Sequence, residues 1–145
     1  KDKPVARQDF RFFFPFRVRY SEIDGQGVVF NAHYLTYFDT TITEFFRHLG
    51  FRSQDYLAET GNDFHLVKSL VNYEAPIRFD AEIEVGCRVS NIGRTSMTFQ
   101  LEIFARGEER RYSSGEVIWV NTNQSTHKST PLDDDTRALF MPELA

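Results

Sequence analysis

The chain has 145 residues, of which 41% are hydrophobic, 15% aromatic and 26% charged, and this size and composition predict one globular domain rather than a disordered chain. Its 17 basic and 21 acidic residues give a net charge of −4, unlike the basic surface typical of nucleic-acid-binding proteins. The arginines between Arg7 and Arg19 alternate with phenylalanines, a pattern more typical of a strand with one wet face than of a base-stacking surface. We expect no nucleic-acid partner.

Cysteine content and hydropathy indicate the cellular compartment. The chain has one cysteine, Cys87, inside an alternating apolar run, so an intrachain disulfide is not possible and a reducing compartment is favoured. The first residues, KDKPVARQ, contain no apolar signal segment, and no run of 18 apolar residues occurs anywhere. We therefore expect a cytoplasmic location and no membrane contact.

The first two predicted elements are a strand and a long helix. Residues 16–22 alternate between apolar and polar side chains, which predicts a half-buried strand that ends at the Gly25–Gly27 turn. Asn31 is placed to cap a helix, and Gly50 is placed to end it. Between them, apolar residues recur at helical spacing and predict a core helix: Leu35, Phe38, Ile42, Phe45, Phe46 and Leu49.

Four further strands follow a short connection over residues 51–62. They are predicted near 64–73, 81–90, 97–103 and 112–120, with tight turns that favour antiparallel neighbours. A single long helix covers one face of such a sheet, so we predict an α+β fold in which the sheet curls around it. The domain spans 1–145 with its core in 15–121, and a short helix near 133–140 begins with three acids that suit a helix start better than a metal site.

Four segments resemble one known family. They are RYSEIDGQGVVFNAHYLTYFD (19–39), NYEAPIRFD (72–80), IGRTSMTF (92–99) and SSGEVIWV (113–120). In these segments the chain is similar to the 4-hydroxybenzoyl-CoA thioesterase-like family of acyl-CoA thioesterases. The resemblance implies the hotdog fold, an antiparallel β-sheet of about five strands wrapped around one long central helix. It also implies a homo-oligomer, either a dimer or a dimer of dimers, that is, a homotetramer.

The resemblance assigns roles to particular residues. Asp24 corresponds to the catalytic carboxylate, acting as nucleophile or as general base toward water. The backbone amides of Phe30 and Asn31 correspond to donors for the thioester oxyanion. The resemblance also implies six substrate-binding residues: Gly27, Val29, Tyr34, Arg94, Thr95 and Ser96. In the family, residues like Arg94, Thr95 and Ser96 often bind coenzyme A across a subunit boundary. The chain departs from many relatives at three positions. Many family members have His where this chain has Asn31, Glu where it has Asp39, and Arg where it has Ile42.

This sparse set of residues suits thioester hydrolysis. The thiol leaves readily because its pKa is about 8.5, so the reaction needs a nucleophile or activated water and a stabilised oxyanion. One carboxylate and the N–H groups at a helix start can supply both. We therefore expect an acyl-CoA thioesterase that hydrolyses a small acyl or aroyl-CoA, with no metal and no cofactor, coenzyme A being part of the substrate.

Several alternatives remain open. Asp24 in an Asp-Gly turn can be a turn residue that satisfies its own backbone, and Asp39 is the second candidate carboxylate. His33 lies near the predicted site, but the four histidines have no zinc-binding spacing. The fold also suits an acyl-thioester hydratase or dehydratase, or a non-catalytic acyl-CoA binding module. Four aromatic residues are candidates for the acyl pocket: Phe30, Tyr34, Tyr37 and Phe38.

Overall fold

The computed structural model describes residues 6–144. Residues 1–5 and 145 lie outside it, and residues 1–5 include most of the segment in which the sequence predicts no signal peptide. The strands are β1 (Phe12–Arg17), β2 (Asn62–Tyr73), β3 (Glu82–Ile92), β4 (Ser96–Ala105) and β5 (Arg111–Asn123). The α-helices are α1 (Ala32–Leu49), α2 (Ser53–Thr60) and α3 (Asp134–Phe140), and a 3₁₀ turn at Tyr20–Glu22 precedes α1. Within 6–144, no helix combines the length and apolar character needed to cross a membrane.

The five strands form one sheet in the order β1-β3-β4-β5-β2, and every neighbouring pair is antiparallel. The strands β1 and β2 are therefore the two edges. The helix α1 lies on one face of this sheet, and side chains from both elements form a single hydrophobic cluster. The predicted hotdog architecture, an α+β fold with about five antiparallel strands and one central helix, is confirmed.

The helix α1 is long because its apolar residues keep helical spacing for 18 residues. One face is fully buried, with Phe38 and Ile42 both 0% exposed, and burying each such side chain stabilises the fold by about 1.5–3 kcal/mol. Gly50 ends the helix as predicted, in the left-handed conformation with φ 84°, where only glycine is free of strain. The predicted side-chain cap at Asn31 is wrong, because Asn31 has helical backbone angles and makes no capping hydrogen bond.

The helix and the sheet approach each other closely at Gly115 in β5. A Cβ atom added to Gly115 would lie 2.3 Å from Cε2 of Phe38 and 2.6 Å from the backbone oxygen of Leu70. Both distances are shorter than real Cβ contacts, so a side chain at this position would displace the helix or the neighbouring strand. The glycine therefore sets how deeply Phe38, and with it α1, packs into the concave face of the sheet.

The first strand begins and ends earlier than the sequence predicts. The strand predicted over residues 16–22 is wrong, since β1 spans Phe12–Arg17 and Tyr20–Glu22 form a 3₁₀ turn. Pro15 in the unalternating run FFFPF argues against a central strand, but β1 is an edge strand, where a missing backbone donor is tolerated. The apparent alternation stops at Glu22, which is buried among hydrogen-bond donors rather than exposed.

The helix α3 closes the end of the core opposite the start of α1. Asp133 caps it by accepting a hydrogen bond from the Thr136 N–H at 2.7 Å, as expected for an acid at a helix start. Phe140 is 0% exposed and its ring centroid lies 4.9 Å from that of Phe46 on α1. The acids of this segment therefore serve helix capping, and the region predicted for a short C-terminal helix contains one.

We predict that Gly115→Ala destabilises the protein by about 1–3 kcal/mol, because the new methyl group overpacks the contact with Phe38. Chemical denaturation would measure the change in unfolding free energy. Gly25→Ala is the matched control, since a Cβ at Gly25 meets no atom within 4 Å and its φ is not positive. Equal stability of the Gly115→Ala and Gly25→Ala proteins would contradict this account of the contact.

Candidate active site

Asp24 lies in a tight turn immediately before α1. Its Oδ1 accepts a hydrogen bond from the Gln26 N–H at 2.8 Å, and its backbone oxygen accepts one from the Gly27 N–H at 3.0 Å. Gly27 has φ 78°, a conformation that few other residues adopt, so the turn needs a glycine there. Among the hydrogen bonds of residues 6–144, none uses Oδ2 of Asp24. One carboxylate oxygen thus holds the turn, and the other is left to act on a ligand.

The backbone amides at the start of α1 differ in availability. The Phe30 N–H already donates to the Glu22 backbone oxygen at 2.9 Å, and the Val29 N–H donates to the Ile77 oxygen at 2.8 Å. Within residues 6–144, the N–H groups of Asn31 and Ala32 have no acceptor. Both residues are exposed at the start of α1, where the helix dipole is positive, and Asn31 lines the same groove as Asp24, so these amides suit the role of oxyanion donors. Of the two predicted donors, Asn31 is the one whose hydrogen remains free.

Asp24 and the start of α1 form one wall of a groove of about 380 Å³. The predicted site residues Val29, Phe30, Asn31 and Tyr34 line this wall, while Gly27 lies in the turn above it. Tyr34 is 4% exposed, and burial, together with the nearby Tyr73, raises the pKa of its phenol. Tyr34 therefore serves as a neutral, apolar floor rather than as a base.

The opposite wall consists of the end of β2 and the turn after it, residues 73–76. The ring of Tyr73 meets that of Tyr34 edge-on with centroids 4.7 Å apart, and its hydroxyl donates to the Asn31 oxygen at 3.3 Å. Glu74 accepts hydrogen bonds from Arg111 Nε at 2.8 Å and from Ser114 Oγ at 3.1 Å. Sequence reasoning assigned no role to Tyr73 or Glu74, although both lie in the quoted segment NYEAPIRFD.

The predicted coenzyme A contacts do not lie in this groove. Arg94, Thr95 and Ser96 form the hairpin between β3 and β4, at the opposite end of the sheet from Asp24. Because β3 has 11 residues, the two places are separated by roughly 35 Å at about 3.3 Å per residue. Within one chain these residues cannot meet the groove.

The rival acid and the candidate histidine also occupy other positions. Asp39 follows Asn31 by eight residues, about 12 Å along α1, and lines a second cavity of about 350 Å³ with Leu35 and Leu66. Partial burial there raises the pKa of its carboxyl. His33 packs edge-on against Phe30, with ring centroids 6.2 Å apart, and does not line the groove.

Two of the four aromatic residues predicted for an acyl pocket are core residues instead. Tyr37 and Phe38 are 2% and 0% exposed and belong to the hydrophobic cluster between α1 and the sheet. That part of the prediction is wrong, because both residues lie on the face of the helix that points into the core. Phe30 and Tyr34 line the groove as predicted. Across residues 6–144, no group of three or more histidine, cysteine or acidic side chains is arranged to hold a metal ion.

Comparison with known proteins gives a family match over more than half of the chain. The profile described as the thioesterase superfamily matches residues 26–111, from the turn after Asp24 to the start of β5. The acyl-CoA thioester hydrolase YbgC of Escherichia coli O6:H1 is 33% identical over 109 residues, covering 75% of this chain and 80% of the relative.

Solved structures show the same fold at lower sequence identity. The PA5185 protein from Pseudomonas aeruginosa superposes with a TM-score of 0.86 at 23% identity, covering 97% of this chain and 96% of that one. A 1,4-dihydroxy-2-naphthoyl-CoA thioesterase from Synechocystis superposes with a TM-score of 0.82 at 15% identity, covering 90% of this chain and 95% of its own. These two likenesses concern the fold.

Proposed function

The chain belongs to the thioesterase superfamily, and we propose that it is an acyl-CoA thioesterase that hydrolyses a small acyl- or aroyl-CoA to the free acid and coenzyme A. The observation that carries this proposal is the free carboxylate oxygen of Asp24 beside the unpaired amides of Asn31 and Ala32, at the edge of a groove. An acid and an oxyanion site in one groove are the two groups that thioester hydrolysis needs.

The reaction proceeds through a tetrahedral intermediate. The thioester carbonyl oxygen accepts hydrogen bonds from the Asn31 and Ala32 amides, which polarise the carbonyl carbon. Asp24 either takes a proton from a water molecule that attacks this carbon, or attacks it directly to form an anhydride that water then hydrolyses. When the intermediate collapses, the C–S bond breaks and coenzyme A leaves as the thiolate, which accepts a proton from solvent. The reaction requires no metal and no further cofactor.

We also propose that the protein is a homo-oligomer whose subunits pair through the edge strand β2. This strand has 12 residues, and its outer side has no pairing strand in the structure of residues 6–144. Four large apolar side chains along it are about half exposed: Leu66, Val67, Leu70 and Tyr73. An uncovered apolar edge of this length is a site for strand addition, and a second copy of β2 fits it by two-fold symmetry. Two such dimers would form the homotetramer that the family resemblance implies.

This pairing supports a role for Arg94 in coenzyme A binding. Two β2 strands related by a two-fold axis run antiparallel, so the Asn62 end of one strand lies beside the Tyr73 end of the other. The β3–β4 hairpin lies at the Asn62 end, since Ser96 pairs with Val120 and Val120 pairs with His65. Arg94 of the partner subunit would then lie at the same end of the joined sheet as Asp24, where its guanidinium can bind the phosphates.

A cytoplasmic location is part of the same proposal. The thiol of Cys87 is free and 1% exposed, and burial raises its pKa well above the ordinary value. A free, unreactive thiol agrees with a reducing compartment, where coenzyme A esters are also present.

The proposed reaction is tested by incubating the pure protein and its Asp24→Asn variant with a panel of acyl-CoA esters and a thiol-trapping reagent. We expect free coenzyme A from the wild type, and a fall in kcat of at least about 10²-fold in the variant, because an amide is a poor nucleophile and a negligible base. Asp39→Asn is the matched control, because Asp39 is the second candidate carboxylate and lies on α1 outside the groove, and it should lose less activity.

The other outcomes of this assay identify the alternatives. A chemically altered acyl chain without free coenzyme A would indicate a hydratase or dehydratase, and binding without turnover would indicate a binding module. Near-normal turnover by a folded Asp24→Asn protein would contradict the assigned role and make Asp39 the leading carboxylate.

We predict that Arg94→Ala raises KM for a coenzyme A ester and changes kcat less, the pattern of lost uniform binding. A short thioester without the nucleotide should be hydrolysed as before. Arg11→Ala is the matched control, because Arg11 is an exposed arginine beside the other edge strand, β1. If Arg94→Ala slows both substrates equally, Arg94 has a structural role instead.

We predict that light scattering at micromolar concentration detects a dimer or tetramer and no stable monomer. Leu66→Glu should shift the protein toward monomers, because it places a charge on the apolar β2 edge. Leu57→Glu on α2, another partly exposed leucine, should leave the mass unchanged. A wild-type mass of 17.0 kDa, that of a single chain, would rule out the oligomer.

A further inference from the structure

Glu22 is a buried carboxylate two residues before Asp24. It is 4% exposed, although it belongs to a residue type that is rarely buried unless it is paired. Its Oε1 accepts hydrogen bonds from the Tyr37 hydroxyl at 2.7 Å and from the Arg19 N–H at 2.9 Å. Its Oε2 accepts two more from the Arg19 guanidinium, at 3.0 and 2.9 Å. Both carboxylate oxygens are therefore filled by donors.

These hydrogen bonds connect the Asp24 turn to the helix at two points. The backbone oxygen of Glu22 accepts from the Phe30 N–H at 2.9 Å, which fixes the residue directly before the free Asn31 amide. The side chain of Glu22 reaches Tyr37, which is 2% exposed and lies nearly two turns further along α1. Glu22 thus bonds to Phe30, beside the oxyanion donors, and to Tyr37 in the body of the helix.

We infer that Glu22 and Tyr37 are a pair of positioning residues that hold the Asp24 carboxylate and the Asn31 amide in register with each other. The inference rests on the proposed function, because it assigns to the pair an effect on turnover in the same groove. Neither side chain lines the groove, so the pair acts through the turn and the helix start rather than on the substrate.

The physical basis is that the two reacting groups belong to different local structures. Asp24 belongs to a turn whose own bonds are short-range, and Asn31 belongs to the first turn of a helix anchored in the core. A shift of about 1 Å between groups in an active site can cost about 10²-fold in rate. The Tyr37–Glu22 bond is a buried side-chain hydrogen bond that connects the segment before the turn to the body of α1.

The ionisation of the pair supports a stable contact at neutral pH. Burial raises the pKa of Glu22, but the hydrogen bonds from the Arg19 backbone, Tyr37 and the Arg19 side chain together outweigh this effect. The pKa of Glu22 is therefore lowered from the ordinary 4.5. Burial and Glu22 raise the pKa of Tyr37. The stability gained from ionised Glu22 is fully present above pH 4.5 and is lost as the pH falls through the lowered pKa.

The test uses variants that separate positioning from simple stability. Tyr37→Phe removes only the hydroxyl, and we expect kcat to fall about 5- to 20-fold while KM changes less than about twofold. Glu22→Met removes the acceptors at similar length and should lose kcat to a similar or larger extent. Glu22→Gln should recover most of the activity, because its amide oxygen can still accept from Tyr37 and from the Arg19 N–H.

Tyr56→Phe is the matched control. Tyr56 is also buried, and its hydroxyl donates to Asn121 Oδ1 at 2.8 Å, but this bond lies at the other end of the sheet. Tyr56→Phe should lower the thermal midpoint about as much as Tyr37→Phe and leave kcat unchanged. The double variant Glu22→Met/Tyr37→Phe should be no slower than the slower single variant, since both changes remove the same bond.

Wild-type kcat in a folded Tyr37→Phe protein, with a loss of thermal stability like that of Tyr56→Phe, would overturn the inference. Additive losses in the double variant would overturn it as well. Hydrogen exchange gives a readout that does not depend on turnover: Tyr37→Phe, and not Tyr56→Phe, should speed exchange at the Asp24 and Phe30 amides. If the wild type hydrolyses no acyl-CoA, the proposed function fails by itself, and unchanged exchange in Tyr37→Phe would still reject the positioning pair.

Discussion

The packing of α1 into the concave face of the sheet is the contact on which the rest of the structure depends. Phe38 reaches the backbone of β5 because residue 115 is a glycine, and the start of the helix lies beside the end of β2. The groove lies between the first turn of α1 and the end of β2, with the buried Tyr34 as its floor. A helix held further from the sheet would still bury its apolar face partly, but Tyr34 would lose the contact with Tyr73 that closes the groove floor.

The chemistry of the groove follows from an uneven use of hydrogen-bonding groups. Several backbone donors around the turn are satisfied internally, while the amides of Gly25, Val28, Asn31 and Ala32 and one Asp24 oxygen have no partner within the described chain. Groups left free at one place are a feature of a binding site rather than of a structural turn. The simple interpretation of Asp24 as a turn residue is therefore half right, because Oδ1 holds the turn while Oδ2 remains available.

The sequence predicts the periodic parts of this fold well and its irregular parts poorly. The helix from Ala32 to Leu49 and the strands β3 and β4 follow from strong periodicity over seven or more residues. Strand β1 lies earlier than the alternation predicts, because its edge position permits Pro15 and because the alternation from Phe16 to Ser21 runs beyond the strand into the 3₁₀ turn that contains the buried Glu22. The backbone conformation of short polar segments depends on contacts with residues far away in the sequence, and a periodic pattern does not predict those contacts.

The site shows the same division. Asp24, Asn31 and Tyr34 are close in sequence, so a local motif was enough to place them together. Tyr73 and Glu74 reach the groove from a strand that pairs with β5, and only the sheet register brings them there. The family resemblance predicts that Arg94 and Asp24 serve one site, yet the sheet separates the two residues by the length of a strand within one chain.

The two walls of the groove depend on different parts of the chain. The wall with Asp24 is built from one continuous stretch that carries its own internal bonds, whereas the wall of residues 73–76 is held by Arg111, Tyr112 and Ser114 from β5. Substitutions in the second wall can therefore reshape the space offered to an acyl group without moving the acid. Under the proposed function, such a division would let substrate preference change while the acid and the free amides stay together in one uninterrupted segment of sequence.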